Sequence, residues 1–87
     1  MTTATERTDV DLSGWPPGTK FYGTDDGTYF VVDADLADYG HMRFVRRPTV
    51  ILYCTETAGV TDLIADFEFD PGTTHEDAVR QAGFELS

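Results

Sequence analysis

The alternation of apolar and polar residues is most informative between residues 46 and 54, a stretch rich in β-branched and aromatic side chains and free of acids. Because side chains alternate along a strand, residues 49–54 divide into two sets that face opposite sides. Both sets are largely apolar: Val50, Leu52 and Cys54 on one side, and Thr49, Ile51 and Tyr53 on the other. The pattern therefore predicts a central strand that is covered on both faces.

A β-hairpin is predicted in the first half of the chain. Two alternating stretches, residues 20–23 and 28–32, flank residues 24–27, which end in an Asp-Gly pair. An Asp-Gly pair readily supplies the positive φ that a tight turn requires. The two stretches are therefore expected to form adjacent antiparallel strands.

Further strands are expected in the second half of the chain. Residues 41–47 alternate in part and precede a proline, which indicates a bulged, split or edge strand. Residues 55–59 resemble a hairpin loop, after which residues 60–65 are predicted to return antiparallel. Phe67 and Phe69 alternate with acidic residues, so both rings should be buried on one face.

A short helix is predicted from residue 74 to residue 82. Thr73 and Glu76 have the spacing of a capping box, in which each side chain satisfies an amide of the first turn. Gly83 is placed to end the helix in a left-handed cap, with Phe84 contacting Val79. A helix of this length is not stable alone, so we expect it to lie on the sheet.

Together these elements predict an α+β, mostly β fold. We expect a small antiparallel meander of four or five strands, centred on residues 49–55, with one short C-terminal helix packed on it. The 87 residues suffice for one small globular domain with a thin core, assigned to residues 15–87.

Residues 1–14 are predicted to form an extended N-terminal arm. They are rich in threonine and charge, and only Val10 and Leu12 could bury much apolar surface. We expect these two side chains to anchor the arm on a neighbouring subunit. Trp15 follows, as either a cover over the core or an exposed anchor for a partner, and the first interpretation is favoured.

The charge is strongly acidic and unevenly distributed. There are 16 Asp and Glu against 6 Lys and Arg, a formal net charge of −10, which disfavours binding to nucleic acid or to anionic membranes. Arg43, Arg46 and Arg47 lie in a stretch without acids. They could contact a carboxylate or phosphate of a partner, although pairing with the chain's own acids is favoured.

The sequence contains no recognisable catalytic, metal or nucleotide motif. Cys54 lies in an apolar run, as is typical of a small buried side chain. With His41 and His75 it forms no closely spaced pair of zinc ligands, and the carboxylates between residues 33 and 38 lack the spacing of a calcium loop. No stretch approaches the about 20 apolar residues that span a bilayer. We therefore expect no enzymatic activity, no cofactor or metal, and no membrane association.

Two blocks of the sequence, residues 47–54 and 69–78, together with a closing stretch at 82–85, resemble small, uncharacterised proteins of actinobacterial (mycobacterial) tailed phages, encoded among virion structural genes. The resemblance covers residues from about 40 to the end, in turn and strand motifs that carry no catalytic role. It implies a non-enzymatic virion structural or accessory protein, associated with the tail or decorating the head. Such a protein would be made in the host cytoplasm and would bind other virion subunits.

A second function stays open from the charge alone. A small acidic phage protein could bind and inhibit a host protein, acting as a nucleic-acid mimic. Mimics present dense, regular carboxylates, whereas arginines interrupt the acids of this chain, so the virion function is favoured. Partners are expected to be protein subunits, including further copies of the chain. The candidate partner-binding residues are Val10, Leu12, Trp15, Arg43, Arg46 and Arg47.

Overall fold

The computed structural model describes residues 2–36, 46–59 and 65–87. Within these ranges the chain forms a six-stranded sheet and one helix, which confirms the predicted mostly β, α+β fold. In chain order the elements are β1 Thr3–Arg7, β2 Thr19–Thr24, β3 Tyr29–Asp33, β4 Thr49–Cys54, β5 Phe67–Phe69, α1 His75–Gln81 and β6 Glu85–Leu86.

The strands lie in the order β5-β4-β3-β2-β1-β6. Strands β1 to β5 form an antiparallel meander, in which each strand pairs with the next along the chain. Strand β6 adds to the outer edge of β1 in the parallel direction. The predicted centre at residues 49–55 is therefore displaced by one strand: β4 is an interior strand, but β2 and β3 form the middle of the sheet.

The hairpin between β2 and β3 has the predicted turn. Gly27 adopts a φ of 86°, and the amide of Thr24 donates to the carbonyl of Thr28 at 2.9 Å. The hydroxyl of Thr24 also accepts a hydrogen bond from the Thr28 amide at 3.0 Å. The Asp-Gly signal thus fixes the register of the two middle strands.

Both faces of the sheet are covered, as the alternation in β4 predicts. The face under α1, here called the helix face, buries residues from the strands and the helix: Ala4, Tyr22, Phe30, Val32, Ile51, Ala78 and Val79. The opposite face is covered by residues 8–15, here called the strap. On this strap face Phe21, Val31 and Ala58 are buried, with Val10, Leu12 and Trp15 packed against them.

The expectation of a separate N-terminal arm is corrected by the position of β1. This strand pairs with β2 on one side and β6 on the other, and Ala4 is fully buried. Val10 and Leu12 contact the chain's own core instead of standing free. A threonine-rich stretch can take this place because backbone hydrogen bonds attach it to both neighbouring strands, and a single small apolar side chain, Ala4, fills its position in the core.

Trp15 covers the core, in agreement with the favoured interpretation. It packs against the strap-face cluster, and its indole Nε1 donates to the carbonyl of Ala58 at 3.2 Å. Ala58 has a φ of 63°, which is uncommon for a residue other than glycine. The tryptophan therefore ties the strap to the loop that follows β4.

Helix α1 begins one residue later than the predicted capping box. Thr74 is the N-cap, and its hydroxyl accepts from the amide of Asp77 at 3.2 Å. The hydroxyl of Thr73 instead donates to the carbonyl of Asp70 at 2.7 Å. Either of the two adjacent threonines could supply the capping hydroxyl. Thr74 becomes the N-cap because the hydroxyl of Thr73 is used in the turn at residues 70–73.

The end of α1 has the predicted Schellman geometry. Gly83 has a φ of 99°, and its amide donates to the carbonyl of Arg80 at 3.0 Å. The amide of Phe84 donates to the carbonyl of Val79 at 3.2 Å. This cap turns the chain back so that the ring of Phe84 lies 4.9 Å from that of Phe30.

Other predicted features lie partly outside the described ranges. Residues 37–45 and 60–64 fall there, and with them most of two predicted strands and Arg43. Phe67 and Phe69 both pack on the helix face, as predicted, and are partly buried. Helix α1 has seven residues, and none of the helices in the described ranges is long and apolar enough to cross a membrane.

We predict that Ala4→Asp destabilises the protein by about 3 kcal/mol or more, because it places a carboxylate in the helix-face core. Thr5→Asp is the matched control, since Thr5 is exposed on the same strand, and it should change the free energy of unfolding by no more than about 0.5 kcal/mol. Urea denaturation followed by circular dichroism measures both. Equal, small effects would mean that β1 is a detached arm.

We also predict that Thr74→Ala lowers the free energy of unfolding by about 1 kcal/mol, because an amide of the first helical turn loses its acceptor. Thr73→Ala should cost about half as much, since it removes one exposed hydrogen bond outside the helix. The reverse ranking in urea denaturation would restore Thr73 as the cap.

Candidate partner-binding pocket

A cavity of about 470 Å³ lies at the end of the sheet where β3 ends, β4 begins and α1 starts. We call it the β3-end pocket. Three chain segments and the first residue of α1 enclose it. Its lining combines apolar walls with a few polar groups: Pro17, Gly18, Ala34, Asp35, Leu36, Arg47 and His75. This combination is typical of binding sites.

The polar side of the pocket is built around Arg47. Its Nη1 donates to Oδ2 of Asp33 at 2.7 Å, and its backbone amide donates to Oδ2 of Asp35 at 3.0 Å. The two aspartates are 8% and 5% exposed. Oδ1 of Asp33 is buried and accepts no hydrogen bond. For Arg47, the interpretation that arginines neutralise the chain's own acids is therefore confirmed.

His75 joins the start of α1 to the loop before β2. Its Nε2 lies within hydrogen-bond distance of the carbonyl of Gly18, so this nitrogen carries the proton and donates. Gly18 has a φ of 89°, and a Cβ there would lie 2.6 Å from the carbonyl oxygen of Ala34. Only glycine allows these two pocket-lining segments to approach so closely.

Leu36 stands at the rim of the pocket. It is 44% exposed and is the one exposed large hydrophobic residue in the described ranges. A single exposed leucine is common on protein surfaces. Its position beside a cavity with buried charges is what distinguishes it.

The candidate residues from the sequence do not form one site. Arg47 lines the pocket, whereas Val10, Leu12 and Trp15 pack on the strap face. Arg46 lies beside the turn before α1: a Cβ on Gly72 would be 3.3 Å from its Nη1. Arg43 lies outside the described residues.

Sequence reasoning missed Leu36, Asp35 and His75 as neighbours. The carboxylates between residues 33 and 38 were considered only as a calcium loop and rejected as one, yet Asp33 ends β3 and Asp35 is buried. One signal was present, because Leu36 is the only large aliphatic residue in an acidic stretch. Its proximity to His75 depends on tertiary contacts that no local pattern reveals.

A second groove, of about 440 Å³, lies beside the strap. Exposed acids dominate its lining, which comprises Arg7, Asp9, Val10, Asp11, Glu56 and Thr57. Arg7 donates to Asp9 at 2.7 Å, and this hydrogen bond lowers the pKa of the Asp9 carboxyl. The groove therefore presents a mainly negative surface.

Cys54 packs against the strap-face cluster and is partly buried. Burial raises the pKa of its thiol to about 11, which is unsuited to a nucleophile at neutral pH. In the part of the chain that the structure describes, no group of three or more His, Cys, Asp or Glu residues could hold a metal ion.

The fold and the pocket define a small mixed-sheet domain with a polar recess at one end of its sheet. The chain belongs to DUF7572, a family of unknown function, whose model matches residues 3–85. The match includes β1, which agrees with the place of this strand in the sheet. No curated protein and no solved structure matches the chain.

We predict that a thiol reagent labels Cys54 much more slowly in the native protein than in urea at pH 8. The native labelling rate should rise up to about pH 11, while that of the unfolded chain should level off above about pH 8.5. Because folding raises this pKa, the stabilisation due to the thiol should be complete below about pH 8.5 and lost as the pH approaches 11. Equal rates in the two states would place Cys54 on the surface.

Proposed function

We propose that the protein is a non-enzymatic structural or accessory subunit of a tailed-phage virion. It acts by binding other virion subunits, on the tail or on the head. The resemblance of residues 47–54, 69–78 and 82–85 to phage proteins supports this proposal. The protein is made in the host cytoplasm and is then incorporated into the particle, where it contacts protein and not nucleic acid or membrane.

The observation that carries the proposal is the composition of the β3-end pocket. The two resembling blocks contribute to it directly, since Arg47 begins the first and His75 lies in the second. Leu36 adds an exposed apolar contact beside a polar rim, the arrangement found in protein–protein interfaces. A small domain with a thin core also gains stability by mass action when it binds a partner.

The alternative is an acidic protein that binds and inhibits a host protein. The negative groove beside the strap, with Asp9, Asp11 and Glu56, favours this function. Arginines are interspersed with the acids, however, and Arg7 lies within the groove itself. This mixture is less regular than the charge of a nucleic-acid backbone, so the virion function is preferred.

Mass spectrometry of purified particles tests the proposal. We predict that the protein is present at a fixed copy number, and that Leu36→Asp reduces its incorporation at least about tenfold by placing a charge in an apolar contact. Ser13→Asp is the control, an added charge at an exposed position away from the pocket lining, and should be incorporated normally.

Absence of the protein from washed particles would contradict the virion role, and recovery with a host protein instead would favour the inhibitor. Equal incorporation of both variants would leave the virion role standing but would contradict the assignment of the binding surface to the β3-end pocket.

A further inference from the structure

We propose that a further pocket binds a neutral saccharide, with one pyranose ring packed against Tyr29 and its hydroxyl groups held by Asp25 and the threonines of β1. This pocket, here called the hairpin-end pocket, lies beside the β2–β3 turn, at the opposite end of β3 from the β3-end pocket. The inference goes beyond the virion role and does not depend on it, because it names a small-molecule ligand at a separate surface.

The hairpin-end pocket has a volume of about 280 Å³ and lies on the strap face. Pockets for drug-sized ligands measure about 300–1,000 Å³, so the size here suits a single six-membered ring. The lining draws on β1, β2, the turn and β3, and includes Thr3, Thr5, Arg7, Gly23, Asp25 and Tyr29.

Gly23 opens the floor of this pocket. It lies within β2 and pairs with Thr5 on one side and Tyr29 on the other. It is not among the glycines with a positive φ, so its backbone conformation does not require glycine. A glycine inside a strand weakens the strand, and such a position often marks the close approach of a ligand. A Cβ on Gly23 would lie 3.3 Å from Cε1 of Tyr29 and 3.4 Å from Cδ of Arg7, so even one methyl group narrows the recess.

Tyr29 supplies an aromatic wall that is held in place before a ligand binds. Its ring stacks on that of Phe21, with the centroids 5.8 Å apart and 18° between the planes. Phe21 is fully buried, and the guanidinium of Arg7 lies 5.9 Å from the same ring. A pyranose has a face of C–H groups, which packs on an aromatic ring as an apolar surface does.

The polar groups of the pocket match the hydroxyls of a sugar, each of which both donates and accepts. Asp25 is fixed to β1: its Oδ1 accepts from the Thr3 amide at 3.2 Å, and its own amide donates to the Thr3 carbonyl at 3.1 Å. No donor among the described residues contacts its Oδ2, which is left to accept from a ligand. The hydroxyl of Thr5 lies 2.6 Å from that of Ser87, and those of Thr3 and Tyr29 add two further groups that donate or accept.

The balance of charge favours a neutral ligand. Arg7 donates from Nε and Nη2 to the two carboxylate oxygens of Asp9, at 3.2 and 2.7 Å, so its charge is already matched. Its Nη1 takes no part in these two bonds and can donate to a ligand hydroxyl. An anion would meet the Asp25 carboxylate and the net charge of −10, and a cation would meet the Arg7 guanidinium in the same lining.

NMR titration tests the inference with uncharged probes, the methyl pyranosides of glucose, galactose, mannose and N-acetylglucosamine. Cyclohexanol has the ring without the array of hydroxyls, and glycerol has hydroxyls without the ring, so these are the neutral controls. The cationic control is n-butylammonium. We expect saturable shifts of the Gly23 and Thr5 amides and of the Tyr29 ring with at least one pyranoside, and not with the controls.

Gly23→Ala should weaken binding of that pyranoside at least about tenfold, because the added methyl group occupies the floor of the pocket. Gly14→Ala is the matched control: a Cβ there has no heavy atom within 4 Å, so binding should not change. Urea denaturation of both variants distinguishes loss of the pocket from loss of the fold.

Asp25→Asn provides the test if Gly23→Ala does not fold. Asp25 is exposed, and asparagine still offers an oxygen to the Thr3 amide, so the fold should be kept. Pyranoside binding should weaken several-fold through loss of a charged acceptor. Asp70→Asn is the matched control, because Asp70 is an exposed turn residue outside the pocket lining.

Three results would overturn the inference: no saturable shift with any of the four pyranosides, equal shifts with cyclohexanol, glycerol or n-butylammonium, or equal pyranoside binding by the variants and their controls. Each of them would leave the virion role standing, because that role is tested by incorporation into particles. If a pyranoside binds as expected but the protein is absent from virions, the saccharide site stands and the virion role falls.

Discussion

The structure depends on the burial of β3 on both of its faces. Phe30 and Val32 pack beneath α1, and Val31 packs beneath the strap on the other side. Strands β2 and β4 satisfy its backbone along both edges. A strand with two apolar faces must be covered on both of them. In this chain the N-terminal strap covers one face and the C-terminal helix α1 covers the other. The strap and α1 are therefore equivalent parts of one small core.

The pocket forms where this double burial ends. Beyond Val32 the chain becomes polar while it is still covered, so Asp33 and Asp35 are buried carboxylates. Arg47 forms ion pairs with both aspartates because β4 begins beside the end of β3. Leu36 follows at the rim of the pocket and is exposed, in contrast to the buried Asp35 before it. The candidate site thus lies where the apolar core ends. It is acidic because Asp33, the last residue of β3, and the nearby Asp35 carry buried carboxylates.

Local patterns predicted much of the fold. The Asp-Gly turn, the two-sided alternation around Ile51 and the Gly83 cap each depend on a few neighbouring residues, and the structure contains all three. Strand β1 was missed because backbone pairing holds it, and its sequence has little apolar signal. The parallel pairing of β6 with β1 joins the two ends of the chain, which no local rule addresses. For the same reason Arg47 was found as a candidate, but its neighbours Leu36 and His75 were not.

Native-state hydrogen exchange of β1 tests the central claim most directly, because it measures how strongly the N-terminal segment belongs to the core. If β1 and the strap complete a two-sided core, the β1 amides that pair with β2 should exchange only through global unfolding, with the same free energy of opening as the amides of β3. The strap-face contacts of Val10 and Leu12 should share this protection. Fast exchange of β1 while β3 stays protected would contradict the account and would make the N-terminus an arm.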